Sequence, residues 1–247
     1  SYKFQFFVSL ISIFVSVYIF FFVSKFFEGA NTYLQQYSDD YFFFLVTGYC
    51  LMDMVFRISI TMNTEIRNYQ LTGVFEELIN LPTPVLSLLI YSHIYPFFMS
   101  LFRSFLFFLI AILFFDLRIN LDYLIIIIFT IVPIVLSFIG VSMIAGAYAL
   151  AFKKGNPISS LNKYITVIVG GVFFPTSVLP DWLNVLSNFL PITYGLEIVR
   201  TLMLPEVNLD FEIFLKYSIL ILLTIMFLLI GYFLCRIALI AGKKRGT

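Results

Sequence analysis

The chain has 247 residues, 61% of them hydrophobic and only 12% charged, with a formal net charge of +1. A soluble domain carries about a quarter charged residues, so this composition excludes an ordinary soluble enzyme and points to a solvent that is mostly lipid. A charge so close to neutral gives no sign of a nucleic-acid partner, and none is expected.

Spans of about 20 residues each leave room for roughly six helices with short loops. The expected fold is therefore one all-α integral membrane domain over residues 1–247. The sequence does not begin with Met, and residues ahead of Ser1 are expected. The first apolar run, about 4–24, is too long for a signal-peptide core and has no small-residue cleavage site after it, so it should be retained as a span. A polar loop follows, then a second span over about 41–60. Residues 61–86 form a mixed-charge stretch with Glu65, Arg67, Glu76 and Glu77. A third span, about 87–115, is long enough to tilt. The fourth covers about 123–152 and the fifth about 161–179, and the two flank the link Lys153–Pro157. A broken segment runs over 175–205. The sixth span, about 214–235, ends near a basic tail. Pro96 and Pro133 should kink spans three and four. The small-residue run from Gly140 to Ala151 lets helices pack closely.

Lysine and arginine in short loops set orientation. With both termini cytoplasmic, the inner side holds Lys3, Arg57, Arg67, Lys153, Lys154, Lys163, Arg236, Lys243, Lys244 and Arg245. The outer side holds Lys25, Arg118, Arg200 and Lys216. This bias places 61–86 in the cytoplasm and 175–205 outside. There is no internal repeat at a fixed period.

Cys50 and Cys235 lie in apolar runs and read as free thiols acting as small hydrophobes. With one His and two Cys, no metal centre is expected. His93 reads as a satisfied interfacial residue rather than a ligand. The 32 Phe residues fit lipid-facing surface and interfacial belts, or an aromatic-lined route for an amphipathic substrate. Charge inside a membrane is costly and by default functional. Asp53 and Arg57 are spaced i, i+4 and should pair on one face. Arg103 lies deep in span three and should face a subunit seam or a hydrated cavity, or reach an acid on another span. No G-x-x-x-x-G-K-[ST], G-x-S-x-G or H-E-x-x-H occurs, so neither a phosphate loop nor the common nucleophile or zinc-protease arrangements are present, and no catalytic residue is expected.

Two stretches carry more information. In Thr61–Leu86, Phe75, Leu78 and Ile79 are spaced i, i+3, i+4 and form one apolar stripe beside Glu76 and Glu77, on a segment stopped by Pro82 and Pro84. Such a helix lies at the membrane surface and can offer a face to a soluble partner. In 170–200 the prolines Pro175, Pro180 and Pro191 break an apolar run that also carries Trp182, Glu197 and Arg200. Broken backbone at membrane depth survives only where protein or water satisfies it. The expectation is a helix that exits, dips back and turns, with Glu197 and Arg200 paired at i, i+3.

Gly73, Glu76, Leu78 and Pro82 resemble the G-T-L-E-x-L-L-x-x-P motif of ABC-2-type permeases, with Val74 where that family usually has Thr. The run from Gly171 through Phe174 and Pro175 to Pro180 and Trp182, then Pro191, Tyr194, Glu197 and Arg200, resembles the C-terminal half of the same family. The resemblance implies six spans, a cytoplasmic coupling helix that docks on an ATPase subunit, and a re-entrant extracytoplasmic cap between spans five and six near an outer gate. The residues it assigns to coupling are Glu65, Gly73, Phe75, Glu76, Glu77, Leu78 and Pro82. Those it assigns to the cap are Phe174, Pro175, Pro180, Trp182, Pro191, Tyr194, Glu197 and Arg200.

The implied function is the membrane subunit of an ATP-driven exporter in the cytoplasmic membrane of a prokaryote. It would work as a dimer with a second copy or a close paralogue, move a drug- or lipid-type cargo, and use ATP and Mg bound only in the partner ATPase. A lipid-linked polysaccharide exporter on the same fold is an alternative. An autonomous channel or secondary transporter would need coupling acids, and only Asp53 qualifies. An intramembrane enzyme would need a catalytic cluster that this sequence lacks.

Overall fold

The computed structural model describes residues 2–26, 41–79, 84–152, 157–204 and 210–244, and among them there is no strand. The first half contains α1 (Tyr2–Phe26), α2 (Tyr41–Thr72), α3 (Val74–Ile79), α4 (Val85–Tyr91) and α5 (Ile94–Phe115). Then come α6 (Leu124–Phe152) and α7 (Pro157–Val169), a single 3-10 turn (Thr176–Val178), α8 (Asp181–Ser187), α9 (Pro191–Met203) and α10 (Phe211–Lys244). Among the described residues, four stretches are long and apolar enough to cross a membrane: Tyr41–Thr72, Val85–Phe115, Leu124–Phe152 and Phe211–Ala241. A fifth, Leu10–Phe26, is apolar but shorter.

The centre is α6 packed along α10. Two glycines set the contact. A Cβ on Gly140 would lie 2.5 Å from the Phe227 carbonyl, and one on Gly231 would lie 2.4 Å from the Gly140 oxygen. Only glycine permits this approach, which is how helices gain packing contact where lipid supplies no hydrophobic drive. The two helices run parallel, since Phe129 meets Tyr217, Pro133 meets Thr224 and Gly140 meets Gly231. Pro133 has no N–H, so the Phe129 carbonyl loses its helical donor. The Tyr217 hydroxyl from α10 supplies one at 3.2 Å. The expected kink at Pro133 therefore leaves α6 continuous as a helix.

A chain that leaves one end of α6 and enters α10 in the same direction has to travel back between them. The return is made in two pieces. Ser159 Oγ bonds the Ser59 carbonyl deep along α2, and α7 then rises toward Gly48. It stops at Val169, so the expected continuous span over 161–179 is corrected: the helix breaks at Gly170, five residues ahead of Pro175. Gly171, at φ 74°, turns the backbone out of helical geometry. The return resumes with α9, whose Ile192 touches Gly170 and whose Met203 carbonyl accepts the Asn120 N–H just ahead of α6.

The third expected span is also two helices. It breaks at Ser92 and His93, because Pro96 has no N–H for the Ser92 carbonyl. His93 fills the break. Its Nδ1–H points at the Leu89 and Ile90 carbonyls (3.0 and 3.1 Å), and its Nε2 is hydrogen-bonded to Ser142 Oγ at 3.0 Å. Ser142 Oγ in turn accepts the Met62 N–H at 3.0 Å. Both ring nitrogens thus have a partner, and the ring joins the break to α6 and α2.

The helix of the second expected span also runs on past 60. The helix continues to Thr72, and Gly73, at φ 75°, makes the turn into α3.

Gly231→Ala is expected to cost roughly 1–3 kcal/mol through overpacking against α6, read as a lower unfolding midpoint in detergent. A midpoint equal to wild type would show that the α6–α10 approach is not tight.

Candidate functional site

The broken return is built around Arg200. Once α7 ends, the carbonyls of Gly171, Val172 and Phe173 have no place in a helical ladder, and buried carbonyls need donors. Arg200 Nη1 donates to Gly171 O at 2.8 Å, and Nη2 donates to Val172 O at 2.9 Å and to Phe44 O at 3.0 Å. Its Nε reaches Thr47 Oγ1 at 3.2 Å. The third carbonyl, that of Phe173, accepts from the Tyr41 hydroxyl at 3.0 Å. The guanidinium lies 3.4 Å from the centre of the Phe44 ring and is 3% exposed. Gly48 makes room, because a Cβ there would sit 2.1 Å from the Val172 oxygen and 2.7 Å from Arg200 Nη2.

The pairing expected between Glu197 and Arg200 is corrected by this geometry. Arg200 turns inward to the α2 and 171–172 carbonyls, because that buried backbone is the stronger demand. The ion pair of Glu197 runs instead to Lys216 of α10 at 3.1 Å, and Lys216 also holds Glu212 at 2.7 Å.

Between Gly170 and Leu190 the chain makes an excursion. Pro175 precedes the 3-10 turn and Pro180 precedes α8; both have extended ψ, near 150°. Pro191 starts α9 at its first turn, where a missing N–H costs nothing. The Tyr194 hydroxyl closes the turn onto the Asn188 carbonyl at 3.1 Å. Trp182, Val185 and Phe189 are strongly exposed, and Phe174 sits at the margin of exposure. The excursion thus has a clamped root and an apolar outer surface.

At the other end of α2, Glu65 and Glu77 are accessible, while Phe75 is buried against Met62, Ile66, Val85 and Leu89. The Phe75 side chain therefore joins the core rather than an outward stripe, because Gly73 folds α3 back onto α2 and α4. Leu78 is partly exposed. The side chains of Glu76 and Ile79, all of Pro82, the segment 27–40, residues 153–156, residues 205–209 and the basic tail side chains lie outside the described residues.

Midway along α2, Asp53 accepts Arg57 Nε at 2.8 Å and Nη2 at 3.2 Å. Arg103 of α5 approaches the same carboxylate, with its Nε 3.3 Å from Oδ2. Of the fates open to Arg103, contact with an acid on another helix is seen, and the residue also lines a cavity. Among the described residues no group of three or more His, Cys, Asp or Glu could hold a metal ion.

Thr47, Gly48, Tyr41 and Lys216 were not singled out by the sequence. A Thr-Gly pair inside an apolar run is a weak signal, and nothing local connects residue 47 to residue 200.

Several long apolar helices with a buried polar clamp and a mid-helix ion cluster define a multi-pass membrane protein. The family model described as ABC-2 type transporter matches residues 1–204, and the chain belongs to that family. It is thereby an ABC-type permease component, not catalytic in itself. No curated protein matches the chain.

Arg200→Met is expected to lose about 3 kcal/mol or more of stability, since it leaves buried carbonyls unpaired, and to open 170–190 to protease. Arg200→Lys should recover only part, because one ammonium cannot reproduce the fork geometry. Wild-type stability and protease resistance in Arg200→Met would remove the clamp from this role.

Proposed function

We propose that the chain is the membrane-spanning subunit of an ATP-driven exporter, moving a hydrophobic or amphipathic cargo of drug or lipid type out of the cytoplasm by alternating access. The observation that carries this reading is the family match over residues 1–204, which takes in both the 73–79 turn and the broken segment before α10. The crossings would be α1, α2, α4 with α5, α6, the pair α7 and α9, and α10, giving six in a single domain over 1–247. The parallel course of α6 and α10 supports the fifth, because the chain has to recross between them. Both termini and α3 would then face the cytoplasm of a prokaryotic cell, and the excursion over 170–190 would form the re-entrant cap on the outer side.

ATP and Mg would be bound by a separate ATPase subunit, and two permease chains would form the transport unit. In this reading α3 is the coupling helix. Its docking face falls to Val74 and Glu77, which are exposed, and to Leu78 beside them. ATP-driven closure of the ATPases would move this helix and shift the two halves between inward-open and outward-open states, as any ligand with differential affinity for two states does. The clamp at Arg200 would make the root of the outer gate rigid while Phe174 and Trp182 line its mobile surface.

Co-purification from native membranes tests the reading. A soluble ATPase should be retained, and Glu77→Lys should weaken that retention roughly tenfold through charge reversal at the interface, with the permease still folded. Phe75→Ala should act differently, lowering stability by about 3 kcal/mol as a core truncation. Full cargo transport by the purified permease without any ATPase would overturn the proposal.

A further inference from the structure

The mid-helix ion cluster opens onto a cavity of ≈ 800 Å³ between α1, α2 and α5. Its described charges are two guanidiniums and one carboxylate: Arg57, Arg103 and Asp53. Arg57 spends two donors on Asp53, leaving the rest of its fork on the cavity side, and its side chain is 37% exposed. The cluster lies within both candidate spans, Tyr41–Thr72 and Val85–Phe115. A guanidinium at that depth is costly, and such residues face cavities and take anionic partners. The walls that continue outward are apolar: Leu10, Met99, Phe102 and Leu106 line the cavity, and Met99 and Phe102 are 43% and 46% exposed on the helix surface. The acid that also lines it, Glu65, is eight residues from Arg57 along α2, about 12 Å away by helical rise. It is too far to neutralise the cluster and stands at the opposite end.

From this placement we infer that the cavity binds a membrane amphiphile with an acidic head group, phosphate or carboxylate. The head is held by Arg57 beside Arg103, and the apolar body lies along Met99 and Phe102. Planar guanidinium forks match the oxygens of either acid. An anion on the cavity side meets the donors that Arg57 does not spend on Asp53, and the exposed apolar wall gives the rest of the molecule a lipid-side path. A purely apolar cargo would leave the cavity side of the Arg57 fork unused, and a free inorganic anion would leave the apolar wall unused. The inference rests on the chain lying in a membrane, but not on the direction of transport or on an ATPase.

The test is native mass spectrometry of the purified permease released from detergent, titrated separately with dioleoyl phosphatidylglycerol, dioleoyl phosphatidylcholine and inorganic phosphate. Wild type should hold the phosphatidylglycerol about tenfold more tightly than the phosphatidylcholine, the effect of one charge-assisted contact set. Arg57→Gln leaves Asp53 paired with Arg103 and should bring the two lipids to equal occupancy. Met99→Trp leaves every charge in place, thickens the apolar wall along which the lipid body lies, and should lower occupancy by both lipids, so the site is tested even if the Arg57 variant does not fold. Equal retention of both lipids by wild type would overturn the inference. So would displacement of the acidic lipid by equimolar inorganic phosphate, or unchanged lipid binding in Met99→Trp. ATPase coupling is not read in this experiment, so a failure of the exporter reading leaves its outcome intact.

Discussion

A helix that stops inside a membrane leaves carbonyl oxygens with nothing to accept, and in this protein one arginine answers most of that demand. Arg200 gathers the carbonyls of Gly171, Val172 and Phe44 and the Thr47 hydroxyl within 3.2 Å, while the Tyr41 hydroxyl takes the Phe173 carbonyl. An unsatisfied backbone group in hydrocarbon costs several kcal/mol, so without these donors α7 would be driven to continue as helix. The clamp also compensates the cation itself. A guanidinium that is 3% exposed receives three carbonyl dipoles, a hydroxyl and the face of Phe44. The two liabilities, a buried charge and a broken helix, cancel each other. Neither is tolerable alone.

The clamp depends in turn on the helices around it. Arg200 reaches α2 only because α9 lies between α2 and α6, and α9 is held there at two points: Gly195 accommodates the Ile134 side chain, and the Met203 carbonyl accepts the Asn120 N–H. The parallel pair α6 and α10 makes that position necessary, since the chain has to return across the bundle before α10 starts. Lys216 of α10 fixes the outer side of α9 through Glu197. A coordinated movement of α9 would therefore carry the broken segment, α2 and α10 with it. This is the kind of discretely packed element through which two distant faces of a permease can be coupled.

The opposite half is organised by polar contacts of another kind. The break between α4 and α5 is filled by a histidine bonded to two carbonyls and to Ser142. Ser142 ties that break to the backbone of α2 near its emergence toward Gly73. The α2 extension, the α3 turn and the α4 break thus form one connected unit with Phe75 in its core. Between this unit and the Arg200 clamp lies the cluster of Asp53, Arg57 and Arg103, which faces the cavity. Three of the polar clusters thus lie at successive levels along α2, and α2 is the element common to those three.

The sequence by itself determined the solvent, the all-helical class and the approximate place of each long apolar helix, because those follow from composition and run length. It also determined where the chain is broken in general terms: the prolines and glycines of 170–191 forbid a plain helix whatever surrounds them. The pairing of Asp53 with Arg57 was legible for the same reason, since an i, i+4 spacing is a local fact. Tertiary structure alone decided the rest. That α7 stops at Gly170 and not at Pro175 depends on Arg200 being present to receive the carbonyls. That Glu197 turns to Lys216 depends on α10 lying beside α9. That Phe75 faces inward depends on Gly73 turning α3 onto α4. In each case the choice lies between two locally acceptable geometries, and the partner that decides it is remote in sequence, where no local periodicity can reveal it.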